Sequence, residues 1–405
     1  MTPGGCIGKA NLSERSRISG FVIGHTGFIW EDPFRVLFLR DPLFAHSIYP
    51  LPPIVGNDEK RRLDRVYYPR TRAALIENFD FIVFHDARIE HFSPRQLHDL
   101  DYAFREAGIP SIMDFLGSFM WDWIWSITIL GDLAPISGHR NAGVDYYKVS
   151  FERNREPVFL SFLEYGVEDV VGSAVAEMDV KQGAKVWGVM RSVSGGRLKG
   201  WIYGYMEEDP PWLVSWKPGG GKPGEQWVLA QLNHWPGTGG DWLSEGNNPY
   251  ALDIATNMVF YSLDMPLISD ILTRREARRL FASLQSQKSV ILSMMEWAET
   301  FGADIAPLSR RLMDLERDMD GAIDDYIDQD YPPAITFLQS VSSKVTKMAD
   351  DAIRLKDRAL LWIYVIEWAV ATATILISGM VIWTLMVRRR LYRDISGTRL
   401  SRVYD

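Results

Sequence analysis

The sequence predicts an α/β domain with a β-rich addition, followed by an α-helical stalk and one transmembrane helix. Three observations carry this. Strand-like and helix-like runs alternate over residues 31–115. Narrow apolar stripes at three-four spacing fill residues 273–358. From Ala369 to Val387 the chain has nineteen residues without a charge, which as a helix span about 28 Å, close to a hydrocarbon core.

In chain order, residues 1–30 read as an N-terminal extension and the α/β domain as residues 31–268. Three short apolar runs predict strands: RVLFLRDP at 35–42, FDFIVFHDA at 79–87 and IPSIMDF at 109–115. PRTRAALIENF between the first two predicts a helix. Before the third, Ser93, Pro94 and Gln96 form a capping box with proline at the first helical position. Leu97, Leu100, Phe104 and Ala107 then share one face until Gly108 stops the helix. Such alternation implies a parallel sheet, because parallel strands need long crossovers. Over residues 158–232 short strands with Gly and Pro turns follow, PWLVSW and QWVLAQL pairing through KPGGGKPGE. That loop lacks the Ser or Thr and the earlier glycine of a phosphate-binding loop, so it reads as a hairpin connection. Asn248 and Pro249 open a helix that should cover the sheet.

The stalk, residues 270–358, reads as three helices. Thr273 and Glu276 suggest a capping box, followed by a stripe of Ala277, Leu280, Leu284, Ile291, Met295 and Ala298 up to Gly302. The second stripe is Leu308, Leu312, Leu315, Met319, Ala322 and Tyr326, ended by Pro332 and Pro333. The third, from Leu338 through Val341, Val345, Met348, Ala352, Leu355 and Ala359 to Trp362, continues into the span. Each stripe needs partners, either the other two helices or, as a homo-oligomer, another copy of the third.

The transmembrane helix covers residues 360–388 and a basic tail residues 389–405. Trp362, Tyr364 and Trp368 stand where an aromatic belt lies, with Glu367 at headgroup depth. Arg388, Arg389, Arg390 and Arg393 follow the span, whereas the bases before it alternate with Asp350, Asp351 and Asp357. The positive-inside bias favours a cytoplasmic C-terminus and an extracytoplasmic main domain in the cell membrane. GFVIGHTGFIW at 20–30 is too short and too broken for a signal-peptide core, which leaves a start lying beyond this sequence or a cytoplasmic body.

A net charge of −8 argues against a nucleic-acid footprint, and a lone Cys6 excludes an intrachain disulfide framework and a cysteine zinc site. Cys6 sits in GGCIG, the pattern of a nucleophile elbow, but MTPGG before it carries no strand pattern, so a disordered start is expected there. His85, Asp86, Glu90 and His91 are the densest group of metal-ligand types. Turn chemistry ahead of Ser93 explains them more simply, and neither a metal nor a cofactor is expected. Trp121, Trp123 and Trp125 in WDWIW, with Trp201, Trp212, Trp216, Trp227, Trp235 and Trp242, read as core filling or as a stacking platform.

DFIVFHDARIEHFSPRQLHDLDYAFREAGIPSIMDFLGSF together with NNPYALDIATNMVFYSLDMP resembles the glutamine amidotransferase-like proteins, relatives of class I glutamine amidotransferases and of the trehalose-utilisation type domain. The resemblance covers about residues 31–268 and implies a flavodoxin-like sandwich. It also implies a nucleophilic cysteine after a central strand and a later His-Pro-Glu. Here IPSIMDF is followed by Leu116, Gly117, Ser118 and Phe119, and VLAQLNHWPG offers His234 without the glutamate. The expectation is therefore a membrane-anchored, catalytically inactive module that binds a small ligand or a protein partner. The ligand-binding candidates are His85, Asp86, Gly117 and Trp121. The alternative is a hydrolase or amidotransferase-type enzyme using Ser118 and His234. The bilayer itself is the one partner named by the C-terminal helix.

Overall fold

The computed structural model describes residues 17–24, 41–52, 55–85, 87, 89–114, 127–141, 146–153, 155–173, 176–200, 204–219, 221–230 and 242–401. The chain divides into two compact units, Met1–Ala282 with Gly321–Thr336, and Ser283–Asp320 with Phe337–Asp405.

The strands, in chain order, are β1 (Ile18–Gly24), β2 (Phe44–Pro50), β3 (Phe81–His85), β4 (Ser111–Asp114), β5 (Ile136–Asn141), β6 (Tyr147–Phe151) and β7 (Val171–Gly172). They continue as β8 (Ala176–Val180), β9 (Lys185–Ser192), β10 (Lys199–Gly200), β11 (Gly204–Tyr205), β12 (Pro211–Trp216) and β13 (Gln226–Leu229). The helices are α1 (Asn57–Tyr67), α2 (Arg72–Asn78), α3 (Pro94–Arg105), α4 (Ile129–Leu133), α5 (Ala251–Ser262), α6 (Ile271–Thr300), α7 (Ala306–Ile327) and α8 (Tyr331–Ser401).

Nine strands make one mixed sheet in the order β2-β1-β3-β4-β13-β12-β9-β6-β7. The first five are mutually parallel, and from β13 outward each neighbour is antiparallel. The β-rich region expected as an addition thus extends the parallel sheet edge to edge, with β12 and β13 paired as predicted. β1 and β3 are buried at nearly every position, the unbroken apolar pattern of parallel strands covered on both faces. β1 lies inside the range read as an N-terminal extension and is an interior strand of the sheet. Judged only as a signal-peptide core, ISGFVIG fails; as a strand buried on both faces it has the right length and composition. The predicted strand at 35–42 falls, up to residue 40, outside the described residues.

Local signals placed α3 well. The Ser93 side chain accepts from the Gln96 amide, the Gln96 side chain returns to the Ser93 amide, and Pro94 stands in the first turn. Gly108 adopts φ +77° beyond the helix, where Ile109 N–H donates to Ala103 O at 3.0 Å. α5 covers the sheet as expected, buried from Ala251 to Phe260. Its Ser262 hydroxyl accepts from Trp227 Nε1 at 2.7 Å, and Tyr261 meets the Trp187 ring edge-on at 5.3 Å. Among the described tryptophans, Trp187, Trp212, Trp227 and Trp242 fill the core, with Trp187 and Trp227 at 5.1 Å and Trp212 and Trp242 at 4.8 Å between ring centres. Core filling is the role of these four. Trp121, Trp123, Trp125, Trp201 and Trp235 lie outside the described residues.

Beneath this core the first unit holds a buried charge network. Arg274, 1% exposed, donates to Asp41 Oδ2 at 2.5 Å, to Thr256 Oγ1 at 3.2 Å and to Asp253. Arg278 forks onto Asp253 at 2.7 and 3.0 Å, and the Tyr326 hydroxyl donates to Asp41 at 3.2 Å. Burial alone would lower the Arg274 pKa, but Asp41, with Asp253, outweighs it and raises the value, so the guanidinium stays charged. Burial pushes the Tyr331 phenol up to about 12. α6 starts on Asp270, whose carboxylate accepts from the Thr273 amide at 3.1 Å; the cap is thus three residues before the Thr273 and Glu276 pair read from sequence.

The second unit contains most of three helices. Leu284, Ile291, Met295 and Ala298 of α6, Leu308, Leu312, Leu315 and Met319 of α7, and Leu338, Val341, Val345, Met348, Ala352 and Ala359 of α8 are all buried within the single chain. Lys288 pairs with Glu316, Arg311 with Asp351 at 2.7 Å, and Lys356 lies over the Trp297 ring at 5.9 Å. The three predicted stripes therefore face one another. Pro332 and Pro333 stand in the first turn of α8, where a missing N–H costs nothing. Further along, α8 is the one described helix long and apolar enough to cross a membrane, and its apolar window is 0% buried. Ile375, Leu376, Met380 and Trp383 are each at least 65% exposed, which a core helix would not leave uncovered.

Candidate functional site

The parallel strands all end at one edge, and open α/β sheets bind ligands outside such an edge where the strand order reverses. Here the order reverses at β1, with β2 on one side and β3 on the other. Gly24, His85 and Asp114 are the last residues of β1, β3 and β4 and stand side by side in register.

His85 and Asp114 are each 3% exposed, and His85 Nδ1 lies 2.7 Å from Asp114 Oδ2. A carboxylate only accepts, so the ring donates from Nδ1 and the tautomer is set. A carboxylate that orients an imidazole in this way also stabilises its protonated form, the arrangement used by general bases and by tightly held polar ligand contacts.

Gly24 explains why the edge can close up. Its φ is +134°, and a Cβ there would stand 1.8 Å from the His85 carbonyl oxygen. Only glycine lets β1 approach β3 at this point.

Of the residues singled out from sequence, His85 is in place at the strand edge. Asp86, Gly117, Ser118, Trp121 and His234 lie outside the described residues. His91 ends a short 3-10 turn, Ile89–His91, directly before the Ser93 cap, in keeping with turn chemistry. Among the described residues no group of three or more His, Cys, Asp or Glu is placed to hold a metal ion.

Asp114 and Gly24 are not among the residues that the sequence singles out. The signal for Asp114 was present, since FIVFH and SIMD each close an apolar run on a polar residue. A polar group buried at that position needs a partner, and the neighbouring parallel strand is where it lies.

No protein-family model matches the chain, and no curated protein and no solved structure matches it either.

Proposed function

We propose that the chain is a membrane-anchored α/β module that binds a ligand at the C-terminal edge of its parallel strands, and that it is not a working amidotransferase. The observation that carries this is the buried His85 and Asp114 pair beside the reversal of strand order. The parallel order β2-β1-β3-β4-β13 is that of flavodoxin-like sheets, which supports the resemblance to glutamine amidotransferase-like proteins. That family's cysteine would follow the strand equivalent to β4, where this chain reads Phe115, Leu116, Gly117, Ser118.

The test uses the full chain in detergent, with a thermal-shift screen of sugars and small metabolites beside glutaminase and esterase assays. Ligands that raise the melting temperature should bind about tenfold more weakly to Asp114→Asn, which replaces the charged acceptor of the imidazole by a neutral amide. Retention of full affinity by both Asp114→Asn and His85→Gln would remove the site from this edge.

A second reading has its own support. An imidazole held by a carboxylate is two-thirds of a nucleophilic triad, so a hydrolase or transferase is the rival function. Turnover abolished by Ser118→Ala, His234→Ala or His85→Gln would establish that rival.

The anchor is α8. Arg388, Arg389, Arg390 and Arg393 directly after the span favour a cytoplasmic tail and an extracytoplasmic body. Protease added to intact cells is expected to remove the body and spare the tail; digestion of the body only after lysis reverses the orientation.

A further inference from the structure

No side chain of α1 is buried. From Asn57 to Arg72 the chain carries six bases, Lys60, Arg61, Arg62, Arg65, Arg70 and Arg72, against three acids, Asp58, Glu59 and Asp64, although its total charge is −8. Two of the bases are taken, Lys60 by Asp64 at 2.6 Å and Arg72 by Asp99 at 2.8 Å. Arg61 reaches Asp58 only at 3.6 Å, with the two side chains 72% and 91% exposed, a pairing that contributes little. Arg62, Arg65 and Arg70 have no ion-pair partner among the described residues. Beside them Val66 and Tyr67 are 71% and 45% exposed.

A basic helix face alone is a solvated surface. The same unit, however, carries its counterpart at the end of α7. Asp324, Asp325, Asp328 and Asp330 follow one another closely there, and the chain has no Lys or Arg between Arg317 and Lys344. None of the four carboxylates has an ion-pair partner among the described residues. Asp324, Asp328 and Asp330 are exposed and Asp325 is half-buried.

The place of the two surfaces on the fold identifies what brings them together. β2 is the outermost described strand on its side of the sheet. Near its end the Tyr49 hydroxyl donates to Asp64 of α1 at 2.5 Å. Before its start Asp41 accepts from the Tyr326 hydroxyl of α7 at 3.2 Å. Phe44–Pro50 is seven residues, or about 23 Å of strand, so the basic and the acidic surface stand at opposite ends of β2. A two-fold axis beside the middle of the strand reverses it in a second copy, and each basic end then meets an acidic one. Such a contact is isologous and closes at two copies. A partner of one sign would match only one of the two surfaces.

We propose that the α/β unit pairs with a second copy of itself about a two-fold axis beside β2, α1 of each copy lying against the acidic end of α7 of the other. Val66 and Tyr67 supply apolar contact between the charges, and the charges fix the register.

The full chain in a non-ionic detergent, followed by sedimentation velocity, tests this. A dimer is expected whose Kd rises at least about tenfold between about 50 and 500 mM salt, because exposed charges are screened. Arg61→Glu with Arg65→Glu should leave a monomer, and so should Asp324→Lys with Asp328→Lys, each with the melting temperature of the native chain, since all four side chains are exposed. An equal mixture of the two double variants should form a heterodimer, in which both contacts again join opposite charges. A native chain that is monomeric at low salt overturns the proposal, as does a dimer that neither salt nor either double variant weakens. Loss of the dimer in the α1 variant alone overturns it in favour of a different anion as the partner of α1. A mixture that stays monomeric, with both variants folded, overturns the two-fold arrangement.

Discussion

Arg274→Met is expected to destabilise the α/β unit by about 3–5 kcal/mol, because it strips a charge partner from carboxylates that have no water to turn to. Asp41 and Asp253 are 2% and 0% exposed. Asp253 keeps its fork to Arg278, so the loss falls on Asp41, left with the Leu43 amide at 3.0 Å, the Tyr326 hydroxyl at 3.2 Å and a long ion pair to Arg278 at 3.9 Å. Denaturant unfolding of the full chain in detergent, followed by the fluorescence of the buried tryptophans, measures it. The double variant Asp41→Leu with Arg274→Met separates the penalty of an orphaned charge from the worth of the pair. It should recover more than half of the loss, since an apolar replacement of both partners is often close to neutral. A single-variant cost under about 1 kcal/mol would place the pair among those that contribute little.

Gly24→Ala carries the second large effect and acts directly on the candidate site. The added methyl meets the His85 carbonyl oxygen at 1.8 Å, and backbone cannot yield as a flexible side chain does. Either β1 separates from β3 or the strand end rotates out of a φ of +134°. Left-handed strain and overpacking together come to about 2–5 kcal/mol. Gly183→Ala is the control: φ there is +91° with nothing within 4 Å, so only conformational strain of about 1 kcal/mol applies. Similar losses in the two variants would mean that the approach of β1 to His85 is not held by glycine. In the expected case, the Gly24 variant also weakens any ligand that depends on His85, and the Gly183 variant does not.

For the site itself, half of the pair was legible. His85 stood at the end of an apolar run and was picked out by position, whereas Asp114 looked like an ordinary strand end. The two lie 29 residues apart, and only the pairing of β3 with β4 makes them neighbours.

What the sequence by itself determined is what depends on neighbours along the chain. The Ser93 box, the Gly108 stop, the stripes of the three long helices and the uncharged span all follow from spacings of a few residues, because capping groups and helix faces are satisfied within one or two turns. Only the tertiary structure decided what depends on neighbours across the chain. ISGFVIG is a strand because β2 and β3 lie beside it. The β-rich segment joins the parallel sheet because β13 presents its free edge to β12. Arg274 and Arg278, in a strongly basic run, are buried because Asp41, 233 residues from Arg274 in sequence, and Asp253 on α5 meet them. A charge tolerates burial only where an opposite charge meets it, and the place of that meeting is set by the fold as a whole.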